Sequence, residues 1–266
     1  MEVSETRPRN ELRFTVLGPL QVGTADRAYA VQGAKVKTIL AALLARADRP
    51  VSVAALSTEL WGGRPPGHPE TTVRVHIYHL RRALGRYLSV PGEQIVRTEP
   101  TGYRLVAGTA QIDAGQFDSW GERSVTLLRR GLPEAAAVLA QDALRLWQGS
   151  SALPYVTPGP IVSSYVNYLD ERRLRVLGCH ADALMALGQF ADLVAALREL
   201  VADHPLDESF HLRLIEALHR SGRRADALRA CQELRRVLDR ELGLGPSAQM
   251  LELEQEILRA PEPASV

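Results

Sequence analysis

Long apolar runs are missing from this 266-residue chain. No stretch approaches the roughly 18 consecutive apolar residues of a conventional membrane helix, so such a helix is excluded. Lysine is almost absent too: Lys35 and Lys37 stand among 32 basic residues, the rest being arginine. Neither lysine follows a glycine-rich turn, which excludes a Walker-type phosphate loop. Cysteine occurs twice, at Cys179 and Cys231, too few for a disulfide framework. Cys179 precedes His180, but a cysteine nucleophile also needs a base and an orienting group, and no such set is read here. Both cysteines are taken as structural, Cys231 as core. His76 and His79 form an H-x-x-H pair without a third ligand nearby, so neither a metal nor another cofactor is expected. The residues from Met1 to Asn10 have no apolar core; no secretory signal is read there and a cytoplasmic location is expected. No enzymatic chemistry emerges from these features.

Hydrophobic residues make up 45% and charged residues 24%, the balance of a packed protein, and the length suits two domains. A net charge of +1 conceals an asymmetry. Residues 1–108 carry 15 Lys+Arg against 9 Asp+Glu, and residues 109–266 carry 17 against 22. The basic front suits a polyanion and the acidic back a different partner. Compositional drift is the plainer reading of the same numbers.

In the front half, Leu12 to Val22 carries strand formers broken by Gly18-Pro19, and Tyr29 to Val31 is a further short strand candidate. Lys35 to Ala47 has helical spacing at Val36, Ile39, Leu40, Leu43 and Leu44. Ser52 caps a second helix through Leu56, Leu60 and Trp61, which Gly62-Gly63 and Pro65-Pro66 stop. A third helix opens at Pro69-Glu70 and ends or frays at Gly85. Its Val73, Ile77, Leu80 and Leu84 share one narrow stripe. Val75, His79, Arg82 and Arg86 fall opposite, bordered by Thr71, Thr72 and Tyr78, with Arg74 and Arg81 at the junction. An outer face without an acid after Glu70 suits a DNA major groove. Val75 and the threonine methyls can meet thymine methyls, and His79 and Arg82 can bond base edges. Arg74, His76 and Arg81 are placed for phosphates. A solvated basic helix is the plain alternative. Gln94 to Val106 then reads as two strands around Pro100-Thr101-Gly102, a wing, with Arg97 and Arg104 on its arms and Tyr103 as a core anchor.

These elements resemble the OmpR-type winged helix-turn-helix, and more specifically the Streptomyces antibiotic regulatory protein family of transcriptional activators. The resemblance rests on Leu17-Gly18-Pro19-Leu20, Pro50-Val51-Ser52, Leu60-Trp61-Gly62, Leu80-Arg81-Arg82-Ala83-Leu84-Gly85 and Gly102-Tyr103-Arg104-Leu105, in that order. It implies that Arg74, Val75 and His79 read bases, and that Trp61, Thr71, His76, Tyr78, Arg81 and Arg97 touch the DNA backbone. Glu99 stands at a wing position where relatives often carry arginine, and an acid there repels phosphate. His79 stands where a long basic side chain is common. The fold class expected for the front, residues 1–108, is thus α+β: small sheets and three helices.

From Asp113 to Arg259 the pattern is nearly all α. Ala183 to Asp192 and Ala217 to Asp226 align, with Gly188 and Gly222 at a 34-residue offset, the tetratricopeptide period. Each glycine fits a tight turn between antiparallel helices, followed by a small alanine for close packing. Leu127 to Ala135 is a poorer third copy around Gly131, whose second helix Ala143 to Gly149 closes. A plain helical bundle is the alternative. This half also resembles the family's bacterial transcriptional activator domain, through Asp113 and Phe117, Leu146-Trp147-Gln148-Gly149, His204-Pro205, Ala227-Leu228 and Leu242 to Pro246. The expected architecture is therefore mainly α: a winged helix followed by a tetratricopeptide-like repeat domain over residues 109–266, with untethered tails.

The resemblance implies a pathway-specific activator of a secondary-metabolite gene cluster that binds promoter direct repeats as a side-by-side dimer. It further implies recruitment of RNA polymerase and its sigma factor. Arg64 and His68, in the loop before the third helix, are the candidates for polymerase contact. A ligand-sensing repressor with the same DNA contact, and a protein-binding adaptor, are the competing readings.

Overall fold

The front of the chain makes strands where single apolar side chains alternate with exposed ones. In the computed structural model, which describes residues 12–24, 26–88, 90–108 and 111–259, β1 (Arg13–Thr15), β2 (Gln21–Gly23) and β3 (Ala28–Ala30) pair antiparallel in that order. Phe14 lies opposite Val22, and Val22 opposite Tyr29. Phe14 and Val22 are buried, so the sheet has one inward row. α1 (Ala34–Ala45) follows, its Val36 and the whole run Ile39 to Leu44 buried.

β4 (Val51–Ser52) leads directly into α2 (Val53–Trp61). The Ser52 hydroxyl accepts from the Ala55 N–H at 3.1 Å, the cap expected from the sequence. Gly62, at φ +57°, ends the helix. α3 (Pro69–Leu88) comes next, then the single turn α4 (Gly92–Ile95) and the hairpin β5 (Val96–Glu99) and β6 (Gly102–Leu105). β4 joins that hairpin in the order β4-β6-β5. Two sequence expectations are corrected here. α3 does not stop at Gly85: Leu88 is buried and Tyr87 stacks on Tyr29 at 4.8 Å, which gives the last turn a tertiary anchor. Gln94 belongs to α4 rather than to the first wing strand.

The remaining helices are α5 (Asp113–Arg129), α6 (Pro133–Leu144), α7 (Pro160–Ala186), α8 (Phe190–Asp203), α9 (Glu208–Arg220), α10 (Arg224–Leu242) and α11 (Ala248–Arg259). The described residues fall into two compact units, one within Met1–Glu122 and Asp142–Leu174, the other within Arg123–Gln141 and Arg175–Val266.

In the first unit the winged helix is continued by residues from far along the chain. The Asp113 carboxylate accepts from Val16 N at 2.9 Å and Leu17 N at 3.1 Å. Leu17 O accepts from Gln148 N at 2.7 Å, and Val16 O from Leu153 N at 3.1 Å. The buried Glu59 carboxylate accepts from Gly159 N at 2.8 Å, Ile161 N at 2.7 Å and Val162 N at 3.1 Å, and so caps α7.

In the second unit the turns at Gly131, Gly188 and Gly222 are built alike. Each glycine sits at positive φ, between +71° and +79°. The residue after each donates five residues back: Leu132 to Leu127 O, Gln189 to Leu184 O and Arg223 to Leu218 O. This is the closing bond of a helix C-cap with left-handed glycine. The alanines assigned to close packing in the sequence, Ala135, Ala191 and Ala225, are exposed. The buried positions after these turns are Ala136 and Ala137, Leu193 and Val194, and Ala227, one or more positions further along α6, α8 and α10, where the helix phase turns inward. α6 likewise ends at Leu144, and the Leu146-Trp147 run lies beyond it. Cys179 and Cys231 are both buried, and burial pushes the Cys231 thiol up to about 11. The tails read at Met1–Asn10 and Pro261–Ser265 lie outside the described residues.

Candidate nucleic-acid interface

α3 separates apolar from polar residues by helical spacing alone. Val73, Ile77, Leu80 and Leu84 are buried, as the stripe predicts, and Leu88 extends it. That packing fixes which side chains stand free. Val75 is 46% and Tyr78 59% exposed, and Arg74, His79, Arg82 and Arg86 are exposed with them. Among the described residues Arg82 and Arg86 form no ion pair. Arg74 meets Glu70 at 3.7 Å, an exposed contact that costs little to break. Thr71 is exposed; Thr72 is half-buried and its hydroxyl donates to His68 O at 2.9 Å, tying the first turn to the preceding loop.

Three other candidates, on α3 or beside it, are partly engaged. His76 is half-buried, and its imidazole is pushed below the usual histidine range by burial first, then by His79 and Lys35. In the free chain this favours the neutral imidazole, which can donate one hydrogen bond. Trp61, also half-buried, lies under the Lys35 ammonium at 5.5 Å, and that ammonium donates to Leu60 O. Arg81 donates through Nε to Val96 O at 2.9 Å and through Nη2 to Thr98 Oγ1 at 2.8 Å. Its guanidinium also lies 5.7 Å from the centre of the Tyr103 ring. Arg81 thus fastens α3 to the wing, a link that spacing along one helix does not disclose.

On the wing, Arg97 and Arg104 are paired across the strands, so they share a face with Glu99. Arg97 is exposed. Glu99 accepts from Arg104 Nε at 2.8 Å and Nη2 at 2.7 Å. The acid read from sequence as a bare negative charge is therefore compensated within the hairpin, and the same pair engages Arg104. Tyr103 is buried, the anchor it was expected to be. The α2–α3 loop carries Arg64 and His68, both exposed. Sequence reasoning passed over Lys35, Thr98 and Glu59. Lys35 carried a signal, being one of two lysines in a basic half; the others are recognisable through tertiary partners alone.

Among the described residues no group of three or more His, Cys, Asp or Glu side chains is arranged to hold a metal. No helix among them is long and apolar enough to cross a membrane.

Comparison with known proteins adds to this geometry. The model of the bacterial transcriptional activator domain matches residues 112–258, and that of the C-terminal domain of transcriptional regulatory proteins matches residues 32–105. The regulatory protein DnrI of Streptomyces peucetius is 34% identical over 253 residues, 94% of this chain and 93% of that protein. The transcriptional regulator RedD of Streptomyces coelicolor is 33% identical over 248 residues, covering 93% of this chain and 70% of RedD. The regulatory protein AfsR of Streptomyces griseus is 34% identical over 254 residues, yet this chain spans 25% of its length. A solved structure of Mycobacterium tuberculosis EmbR in complex with a low-affinity phosphopeptide superposes with a TM-score of 0.88 at 30% identity, over 94% of this chain and 65% of that one.

Proposed function

We propose that this chain, which belongs to the Streptomyces antibiotic regulatory protein family of transcriptional regulators, is a sequence-specific DNA-binding activator of a secondary-metabolite gene cluster. The observation that carries this reading is the open outer ridge of α3, with Val75, His79 and Arg82 exposed along it. A helix packed by one stripe and free along the other presents its side chains to a major groove. On this reading Arg74, Val75, His79 and Arg82 meet base edges. Thr71, Thr72, His76, Tyr78, Trp61 and Arg81 meet sugar and phosphate, and Arg97 and Arg104 follow the adjoining backbone from the wing.

The activator function follows from the family and from the second unit, whose repeated helix pairs offer surface for protein contact. Two copies bind promoter direct repeats side by side. The exposed loop holding Arg64 and His68 contacts RNA polymerase and its sigma factor. The chain acts through binding rather than catalysis.

A salt titration of duplex affinity tests the DNA contact. Phosphate neutralisation releases counterions, so log K falls linearly with log salt, with a slope of about −0.9 for each phosphate contacted. A flat response points to a protein-binding adaptor and overturns the reading. Run-off transcription tests the sign of control: transcript rising with added protein supports activation, and transcript falling supports a repressor.

A further inference from the structure

Within the first compact unit, residues at the end of α1, in the first turns of α5 and on α7 line an open cleft of about 410 Å³. Part of its wall is apolar, from Leu44, Ala47, Ile112 and Ala114. Tyr165 and Tyr168 stand on another side, their rings 6.5 Å apart and 11° from parallel. The Tyr168 hydroxyl donates to Asp118 Oδ2 at 2.9 Å. The Tyr165 hydroxyl has no hydrogen-bond partner among the described residues. Burial first, and then Asp113, Asp118 and Tyr168, push that phenol well above its ordinary value, so it keeps its proton as a donor. Tyr165 is half-buried, so this donor is within reach of an acceptor that enters the cavity.

The cavity wall carries two arginines and one acid. Arg46 and Arg49 both line it, both are exposed, and neither forms an ion pair among the described residues. The turn that carries them is fixed by Asp48, whose N–H donates to Leu105 O at 3.0 Å and whose carboxylate accepts from Ala107 N at 3.2 Å. The acid in the wall, Asp118, also accepts from Arg172 Nε at 2.9 Å, a guanidinium it shares with Glu122. A space of this size, partly apolar, with a few convergent polar groups, has the character of a small-molecule site.

We propose that this cavity binds a small planar organic anion. The planar body lies against the apolar wall, its carboxylate or phosphate group pairs with Arg46 and Arg49, and an oxygen acceptor takes the Tyr165 hydroxyl. The proposal is independent of the DNA contact, and its test contains no DNA.

Calorimetric titration of the full chain with 2-naphthoate and with 2-naphthyl phosphate supplies that test, alongside neutral 2-naphthol and inorganic phosphate. Saturable binding of both aromatic anions is expected, in the millimolar range or tighter at ~1 mM. Arg49→Gln is expected to weaken binding about tenfold and Tyr165→Phe about fivefold, in line with loss of one charge-assisted and one neutral hydrogen bond. Thermal melting of each variant establishes that it remains folded, and because Tyr165→Phe removes a single oxygen it keeps the test valid should Arg49→Gln misfold. Absence of binding overturns the proposal. So does equal affinity in wild type and both variants. 2-Naphthol or inorganic phosphate binding as tightly as 2-naphthoate would also overturn it, because the ring and the charge would then not act together.

Discussion

Arg81 and His79 are neighbours on α3 with opposite situations. Arg81 donates to Val96 O and Thr98 Oγ1, while His79 is exposed and has no hydrogen-bond partner among the described residues. Loss of Arg81 disturbs the seating of the whole wing as well as any phosphate contact, so Arg81→Ala is expected to weaken binding to all duplexes alike. His79→Ala is expected instead to change the preferred operator, by ~1–3 kcal/mol at one base pair. A panel of singly substituted operators separates the two, and identical profiles would refute this division. The Glu99–Arg104 pair supports a gain of affinity. Glu99→Gln removes the charge that holds the Arg104 guanidinium, so duplex binding is expected to tighten and the log–log salt slope to steepen by about 1. Asp113 governs a pH response of stability. Its carboxyl is pushed up to about 6 by burial, against the opposing N–H bonds from Val16, Leu17 and Ala114. The folded chain thus holds this proton to higher pH than the unfolded chain does. Between about pH 4 and 6 the native state binds more protons, so this residue's contribution to stability falls as pH rises, by an amount on the order of 2 kcal/mol, and is level above that window. Asp113→Asn is expected to remove that component from the slope of urea-unfolding free energy against pH.

At the scale of elements, periodicity reads what lies on one helix and misses what joins two. The buried stripe and open ridge of α3 were legible because four apolar positions recur at helical spacing. The Ser52 cap was legible because its acceptor and donor are three residues apart. The last turn of α3 was not, since Tyr87 is held by Tyr29, 58 positions earlier in the chain. The exposed alanines after the repeat turns show the same limit in another form: the glycine period locates the turns, but helix phase decides which residue faces inward. Glu59 is the clearest case. It follows Ser57 and Thr58 in α2, and nothing nearby explains a buried acid. Its partners are the N–H groups of Gly159, Ile161 and Val162, about 100 residues away. A Cβ added at Gly159 would lie 2.4 Å from Glu59 O, so glycine is what allows α7 to begin there. Glu59→Ala leaves three N–H groups at a helix end without their acceptor, each worth roughly 1–3 kcal/mol if it stays dry. A loss of about 2–4 kcal/mol in urea-unfolding free energy is expected, with Glu59→Gln recovering part of it because an amide oxygen still accepts.

At the scale of the whole molecule, the division of charge and the division of packing follow different lines. Charge changes sign near residue 108, with 15 Lys+Arg against 9 Asp+Glu before it, and that basic share is what a duplex attracts. Packing continues past that point. The unit that presents α3 also takes in residues within Ile112–Glu122 and Asp142–Leu174. They provide the acceptor for Val16 N and Leu17 N, the donors for Leu17 O and Val16 O, and the N–H groups that the Glu59 carboxylate binds. A fragment of residues 1–108 would keep the charge and the reading face but lose all of these. Glu59 would lose the N–H donors of Gly159, Ile161 and Val162 together with the residues that cover it, leaving its carboxylate to water. The fragment is therefore expected to melt at a lower temperature than the full chain and to bind duplex at least tenfold more weakly at equal salt. Replacing Glu59 by Leu is expected to lower the melting temperature of the full chain, where the carboxylate caps α7, and to change that of the fragment little, because the capped N–H groups are absent there. Differential scanning calorimetry of the four proteins reads that difference, and an equal shift in both backgrounds would show that Glu59 does not act through the N–H groups of residues 159–162.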